Sequence, residues 1–318
     1  MLSDIQYKED ILKDGFEQHT IQLKDDYEKH VISTLVRRLS AITSEKAVLY
    51  IHGFNDYFFQ KEMAHQFNDH HFNFYALDLR RYGRSYLPHQ KFNDIRNIKD
   101  YFEEITKALQ IIHEEGNKQV ILFGHSTGGL IISVYAKDHS EAKLFDGVIL
   151  NSPFFEFNKS WIVKKLIPLV ASIGKHFPKV KISGGFTEEY GKYLNKAYQG
   201  EWNYDLKWKP NIAPKINLGW IRAIYQAQEE LKRPFHIQQP VLVMHSEKSV
   251  TNMKDKEQLQ TRDAILNVKD IKQISGNIKG DVEVTPIRGG LHDLILSQKE
   301  VRDHVYDVMF KWIDTHIK

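Results

Sequence analysis

In the stretch VILFGHSTGGLI (120–131), Ser126 stands between Gly124 two positions before it and Gly128 two positions after it. A serine hydroxyl is a poor nucleophile unless a base takes its proton and fixed donors hold the oxyanion that develops. Held at the tip of a sharp strand-to-helix turn, such a serine projects clear of its sheet. The flanking strand and helix then crowd the positions two residues away, and glycine fits there. VILF before the cluster reads as a buried strand and LIISVYA after it as a buried helix, so the setting for that turn is present. Gly129 would let the helix pack closer still. The competing reading is a plain turn without chemistry.

The chain has 16 histidines, so a base must be identified by its place rather than its type. His65, His70 and His71 read as a polar helix end, not as a metal site. His292 stands apart: it follows the strand-like DVEVTPI (281–287) and the turn RGG, and precedes the last helical pattern.

The elements that must position these residues alternate along the chain. Strand-like runs are HVISTLVRR (30–38), KAVLYIHG (46–53), FNFYALDLR (72–80), KQVILFG (118–124), FDGVILNSP (145–153), QPVLVMHS (239–246) and DVEVTPI. Helical patterns lie between them at about 57–69, 97–115, 127–139 and 298–316. Continuous apolar strands alternating with helices predict an α/β fold, a mostly parallel sheet covered on both faces. From Pro153 to Pro234 there is no convincing strand, and WIVKKLIPLVASIG and WIRAIYQAQEEL have helical spacing. The predicted organisation is a core of residues 1–152 and 235–318 with a helical lid inserted at 153–234.

LYIHGFNDY (49–57), LDLRRYGRS (77–85), GHSTGG (124–129) and GGLHD (289–293) occur in that order. Together they resemble the α/β-hydrolase superfamily, in particular its lysophospholipase and monoacylglycerol lipase branch, which is serine aminopeptidase-like. The resemblance implies Ser126 as nucleophile and His292 as base, in the order serine, acid, histidine. It implies an oxyanion hole made of the backbone N–H groups of Phe54 and Thr127, with Gly124, His125 and Gly128 forming the nucleophile elbow. Asp78 and Arg80 read as structural, and Arg81 or Arg84 could face the site. No cofactor or metal is implied.

The acid departs from the pattern. The resemblance places it just after PVLVMHS, where the chain reads Glu247, Lys248, Ser249, Val250, and the expected aspartate is Ser249. Either an inserted loop, SVTNMKDKEQLQ, displaces the acid to Asp263 in TRDAILNV (261–268), or catalysis has been lost and only a ligand pocket kept. Asp263 is favoured, with Asp255, Asp270 and Glu247 as alternatives; its competing reading is a turn or cap carboxylate.

The expected activity is hydrolysis of a small acyl ester such as a lysophospholipid or monoacylglycerol. An aminopeptidase of the same fold would need a carboxylate for a free amine, which Glu188, Glu189, Glu229 or Glu230 could supply. A non-catalytic ligand-binding homologue is the third reading. Trp161, Ile162, Leu166, Ile167, Leu169 and Phe177 suit an acyl groove, or only pack the lid. Residues 153–234 hold 14 Lys and Arg against 7 Asp and Glu, a surplus that could meet a lipid head group or an anionic membrane, or form a solvated face.

The bulk numbers exclude several classes. A net charge of +3 over 318 residues gives no nucleic-acid footprint. The absence of cysteine excludes a disulfide framework, a thiol nucleophile and thiolate metal ligation. The start, MLSDIQYKED, lacks a secretory h-region, and no apolar run is long enough to span a bilayer, so a cytoplasmic protein is expected.

Overall fold

Alternation inside the strands sets the layering. The computed structural model describes residues 5–184 and 188–317. The strands are β1 (Lys8–Glu9), β2 (Glu17–Gln22), β3 (Ile32–Arg38), β4 (Lys46–Ile51) and β5 (Asn73–Asp78), then β6 (Gln119–His125), β7 (Gly147–Asn151), β8 (Val241–Ser246) and β9 (Val282–Ile287). In β4, Ala47, Leu49 and Ile51 enter one apolar cluster while Val48 and Tyr50 enter another. The same split recurs in β6, with Val120 and Leu122 on one side and Ile121 and Phe123 on the other. A strand whose successive side chains point to opposite faces needs apolar residues at every position when both faces are covered.

One face is covered by α1 (Lys61–Asp69) and α9 (Lys299–His316). The other carries α2 (Phe102–Glu114), α3 (Thr127–His139) and α8 (Val268–Ser275). The nine strands form one sheet in the order β1-β2-β3-β5-β4-β6-β7-β8-β9. From β5 to β9 every pairing is parallel. The three N-terminal strands join antiparallel; β1 escapes the sequence reading because it has only two residues, and β2 because its residues are mostly polar.

Residues 153–234 leave the sheet between β7 and β8 and contain α4 (Trp161–His176), α5 (Glu189–Leu194) and α6 (Leu218–Leu231). This segment is not free of strands, contrary to its sequence pattern. Two short strands, Lys181–Ile182 and Ile216–Asn217, pair antiparallel inside this segment. Each has only two residues, too few to show a period. Helix α1 starts at Lys61 rather than near 57, where the sequence pattern places it. The Phe58 N–H donates to Asp78 Oδ1 (2.9 Å), pinning the chain beside β5 before the helix can begin. The helix read over 97–115 starts as a 3₁₀ turn, Ile98–Tyr101, and α7 (Lys256–Thr261) lies in the loop after β8.

Candidate active site

Ser126 follows β6 and immediately precedes α3, with φ 52° and ψ −114°. That conformation is costly for a residue with a Cβ, and the surroundings fix it. The Ser126 N–H donates to Asn151 O (3.0 Å), and its carbonyl accepts from Leu130 (3.1 Å) and Phe154 (2.9 Å). The glycines are needed for space. A Cβ on Gly124 would lie 2.7 Å from the Gly128 carbonyl oxygen, and one on Gly128 would overlap the carbonyl of Ile51. The strand and the helix can therefore cross this closely only where both residues lack side chains.

His292 lies between β9 and a 3₁₀ turn at Leu294–Leu296. Asp293 caps that turn through Ile295 N–H (3.2 Å), and the same carboxylate oxygen accepts from Asn151 Nδ2 (2.7 Å), which ties the loop to the end of β7. The imidazole is thereby held over the elbow. Ser126 Oγ donates to His292 Nε2 (2.9 Å), and His292 Nδ1 donates to Asp263 Oδ2 (3.0 Å). All three residues are buried. The other carboxylate oxygen of Asp263 accepts from Ile265 N–H (2.8 Å) and Leu266 N–H (2.7 Å). Both oxygens are thus committed, which fixes the direction in which the acid meets the ring.

The loop after β8 explains how Asp263 reaches this place. Ser249 and Asp263 pair in a parallel bridge, with Asp263 N–H donating to Lys248 O (2.9 Å) and Val250 N–H to Asp263 O (2.8 Å). Residues 250–262 leave and return to the same point, so Asp263 stands beside the position where the sequence pattern breaks. The other carboxylates lie elsewhere. Asp255 caps α7, Asp270 pairs with Lys164 (2.6 Å), and Glu247 is exposed beside Lys248.

Phe54 and Thr127 both line the cavity above Ser126. Thr127 is the first residue of α3, where backbone N–H groups have no carbonyl one turn earlier to bind. Gly53 brings the β4 loop against the elbow: a Cβ there would be 3.1 Å from Ser126 Cβ. His52, behind that loop, donates from Nδ1 to Gly53 O (2.8 Å) and accepts from Leu79 N–H at Nε2 (3.1 Å). Burial pushes the His52 imidazole below its ordinary value, and burial does the same to His125. The His125 ring lies 4.9 Å from that of His292.

Neither Arg81 nor Arg84 lines the cavity of the site. Arg81 pairs with Asp26 and Glu28, and Arg84 with Asp10 and Asp78. Asp78 also accepts from Phe58, and Arg80 pairs with the buried Glu104, so both are parts of the framework. Glu188, Glu189, Glu229 and Glu230 are not among the residues lining the cavity; the carboxylate there is Asp56. Asp56, Asp293, Tyr190 and Lys209 escaped the sequence reading. Asp293 and Asp56 lie inside the motifs GGLHD and LYIHGFNDY, whereas nothing local marks Lys209.

A second, apolar cavity of about 640 Å³ shares Phe154, Trp220, Ile265 and Leu266 with the first. Of the six residues expected to form an acyl groove, Leu166 and Ile167 line it. Trp161, Ile162, Leu169 and Phe177 instead turn outward, each more than half exposed.

A doubly covered, mostly parallel sheet bearing a strained serine between its central strand and the next helix defines an α/β-hydrolase. Residues 43–297 match the family described as serine aminopeptidase, S33, and the chain belongs to that family. No curated protein sequence matches it. Among solved structures it is similar to a soluble variant of monoglyceride lipase from Saccharomyces cerevisiae in complex with a substrate analog. That similarity has a TM-score of 0.66 at 18% identity and covers 93% of this chain and 96% of that one. A monoacylglycerol lipase from Paleococcus ferrophilus gives 0.62 at 16% identity, over 90% and 99% of the two chains. A thermostable carboxyl esterase from Bacillus coagulans in complex with glycerol gives 0.63 at 15% identity, over 95% and 99%. At these identities the likeness is one of fold.

Proposed function

We propose that the chain is a serine carboxylester hydrolase that cleaves a lysophospholipid, monoacylglycerol or similar acyl ester through an acyl-enzyme. The observation that carries this reading is the line Asp263–His292–Ser126, with contacts of 3.0 and 2.9 Å. Ser126 Oγ attacks the ester carbonyl while its proton passes to His292 Nε2. Asp263 keeps the ring oriented and offsets the charge of the imidazolium. The Phe54 and Thr127 amides hold the oxyanion. Collapse of the tetrahedral intermediate expels the alcohol, which takes the proton from Nε2. Water, deprotonated by the same nitrogen, then releases the acid and restores the serine.

The adjoining apolar cavity supports an acyl chain as the buried part of the substrate. Residues 153–234 act as a lid in this reading, since α4 and the strand-like residue Ile182 contribute part of that cavity's wall. The outward face of α4 supports peripheral contact with an anionic membrane. Residues 157–187 hold six lysines and no acidic residue alongside the exposed Trp161, Ile162, Leu169 and Phe177. Cosedimentation with phosphatidylserine vesicles, weaker with phosphatidylcholine alone, is the expected result; equal and negligible pelleting with both would end that part. Among the described residues no helix is long and apolar enough to cross a membrane.

The family description favours a second reading, cleavage of an aminoacyl amide. It has weaker support in the cavity, where the carboxylate able to hold an amine, Asp56, already meets Lys209 Nζ at 2.8 Å. The test compares short p-nitrophenyl esters with aminoacyl p-nitroanilides and labels the protein with a fluorophosphonate. Ester turnover and labelling that both vanish in Ser126→Ala are expected. Turnover confined to the anilides would replace the ester reading, and labelling undiminished in Ser126→Ala would end both.

A further inference from the structure

Residues 204–210 of the inserted segment lie on the loop that follows β4. Three polar contacts join them. Asn55 Nδ2 donates to Pro210 O (2.8 Å), Asp205 N–H donates to Tyr57 Oη (2.8 Å), and Lys209 Nζ meets Asp56 Oδ1 (2.8 Å). The Trp208 ring stands edge-on to Tyr57, with centroids 5.1 Å apart. Lys209 also lies over the Phe59 and Tyr204 rings. The side chains of the ion pair are 13% exposed for Lys209 and 2% for Asp56. A pair this dry is not the screened surface kind: removing one partner leaves the other charge buried without compensation.

The loop itself needs support. Asn55 sits at φ 55°, a left-handed conformation for a residue with a side chain. Its side chain is held at both ends, by Pro210 and by Asn93 Nδ2, which donates to Asn55 Oδ1 (3.2 Å). Phe54 lies between this residue and Gly53, which packs against the nucleophile. The Phe54 N–H lies in the Gly53–Phe54 peptide plane, whose carbonyl accepts from His52 Nδ1 (2.8 Å), and the chain leaving that plane is held at Asn55, Asp56 and Tyr57 by residues 204–210.

We propose that Lys209 is a positioning residue for the oxyanion-hole loop: from the inserted segment, and through Asp56, it holds the Phe54 amide toward Ser126. The proposal rests on the hydrolase reading above. It couples the seating of this segment to the assembly of the site, because the loop is complete only when residues 204–210 are docked. An amide displaced by about 1 Å from a developing oxyanion loses roughly 100-fold in rate.

The test uses the full chain and the variants Lys209→Met, Lys209→Arg and Asp56→Asn. On a short p-nitrophenyl ester, Lys209→Met is expected to lower kcat ~10- to 100-fold with KM changed by less than about 3-fold. Affinity for a trifluoromethyl ketone, which forms an oxyanion on the serine, should fall by the same factor, while affinity for the product fatty acid holds. Lys209→Arg should restore most of the loss, and Asp56→Asn should reproduce it. Amide hydrogen exchange should quicken in peptides spanning 53–60 and not in those spanning 120–131. Unchanged kcat, or exchange that quickens equally in both regions, would overturn the proposal. If the wild type neither turns over esters nor labels with a fluorophosphonate, the hydrolase reading fails. The exchange comparison then still decides whether Lys209 holds the loop.

Discussion

At the scale of single residues, Asp263 gives the sharpest test, because four carboxylates compete for its role in the sequence and they differ in what they touch. Asp263 contacts His292, whereas Asp270 is engaged by Lys164 at the base of α4. Asp263→Asn should lower kcat about 10³- to 10⁴-fold, since an amide there offers the ring a donor as readily as an acceptor and mis-sets its tautomer. Asp270→Asn should stay within about 2-fold of wild type, because an exchanged surface-side ion pair is worth little. Steady-state kinetics on one ester settles the pair, and a larger loss in Asp270→Asn would reverse the assignment. Ser126 and His292 were legible in the sequence because their cues are local: a glycine on either side of the serine, and a loop between a strand and the last helix. Asp263 was legible only in part, since residues 250–262 separate it from the strand end that it joins in space.

At the scale of elements, the crossing of β4, β6 and α3 is the joint that everything else needs. Gly128 carries it: a Cβ there would collide with the carbonyl of Ile51, which is backbone and cannot swing aside. Gly128→Ala must therefore push α3 away from β4. An overpacked core site of this kind costs about 1–3 kcal/mol or more, and the urea midpoint should fall accordingly. An unchanged midpoint would mean that the helix has room that the structure does not give it. Strands β4 to β8 were readable because both of their faces are covered and their apolar runs are continuous. Strands β1 and β2 were not, because their residues are mostly polar and mostly partly or fully exposed, so no apolar run marks them. The two short strands inside 153–234 are fixed by each other and by α6, not by any pattern of their own.

At the scale of the whole molecule, the buried histidines tie stability to pH. His52 needs a proton on Nδ1 for Gly53 O and a free lone pair on Nε2 for Leu79 N–H, so the fold accepts only its neutral form. Burial depresses both His52 and His125 below the ordinary value of 6.5. Above that pH neither the folded nor the unfolded chain protonates them, and they add no pH dependence. As pH falls below it, the unfolded chain takes up protons that the folded chain excludes. Stability then declines until the folded-state values are reached, by up to about 1.4 kcal/mol per pH unit for each ring. Urea unfolding at pH 8, 7, 6 and 5.5 should show a plateau and then a fall. The fall should be shallower in His52→Asn, though from a lower plateau, and equal slopes in the two proteins would remove His52 from the account.

What the sequence determined alone was set by short-range sterics and periodicity. These are the alternating strands, the glycines around Ser126, the order of the motifs and the break where the acid was expected. The tertiary structure decided which distant groups meet. The contacts of His292 with Ser126 and Asp263 span 166 and 29 positions, and Lys209 crosses from another part of the chain to Asp56. It also decided that Trp161 and Phe177 face outward while Leu166 and Ile167 line a cavity. A helix with apolar residues nearly all round does not say in its sequence which side is covered. Only the packing of α4 on α6 chooses that side.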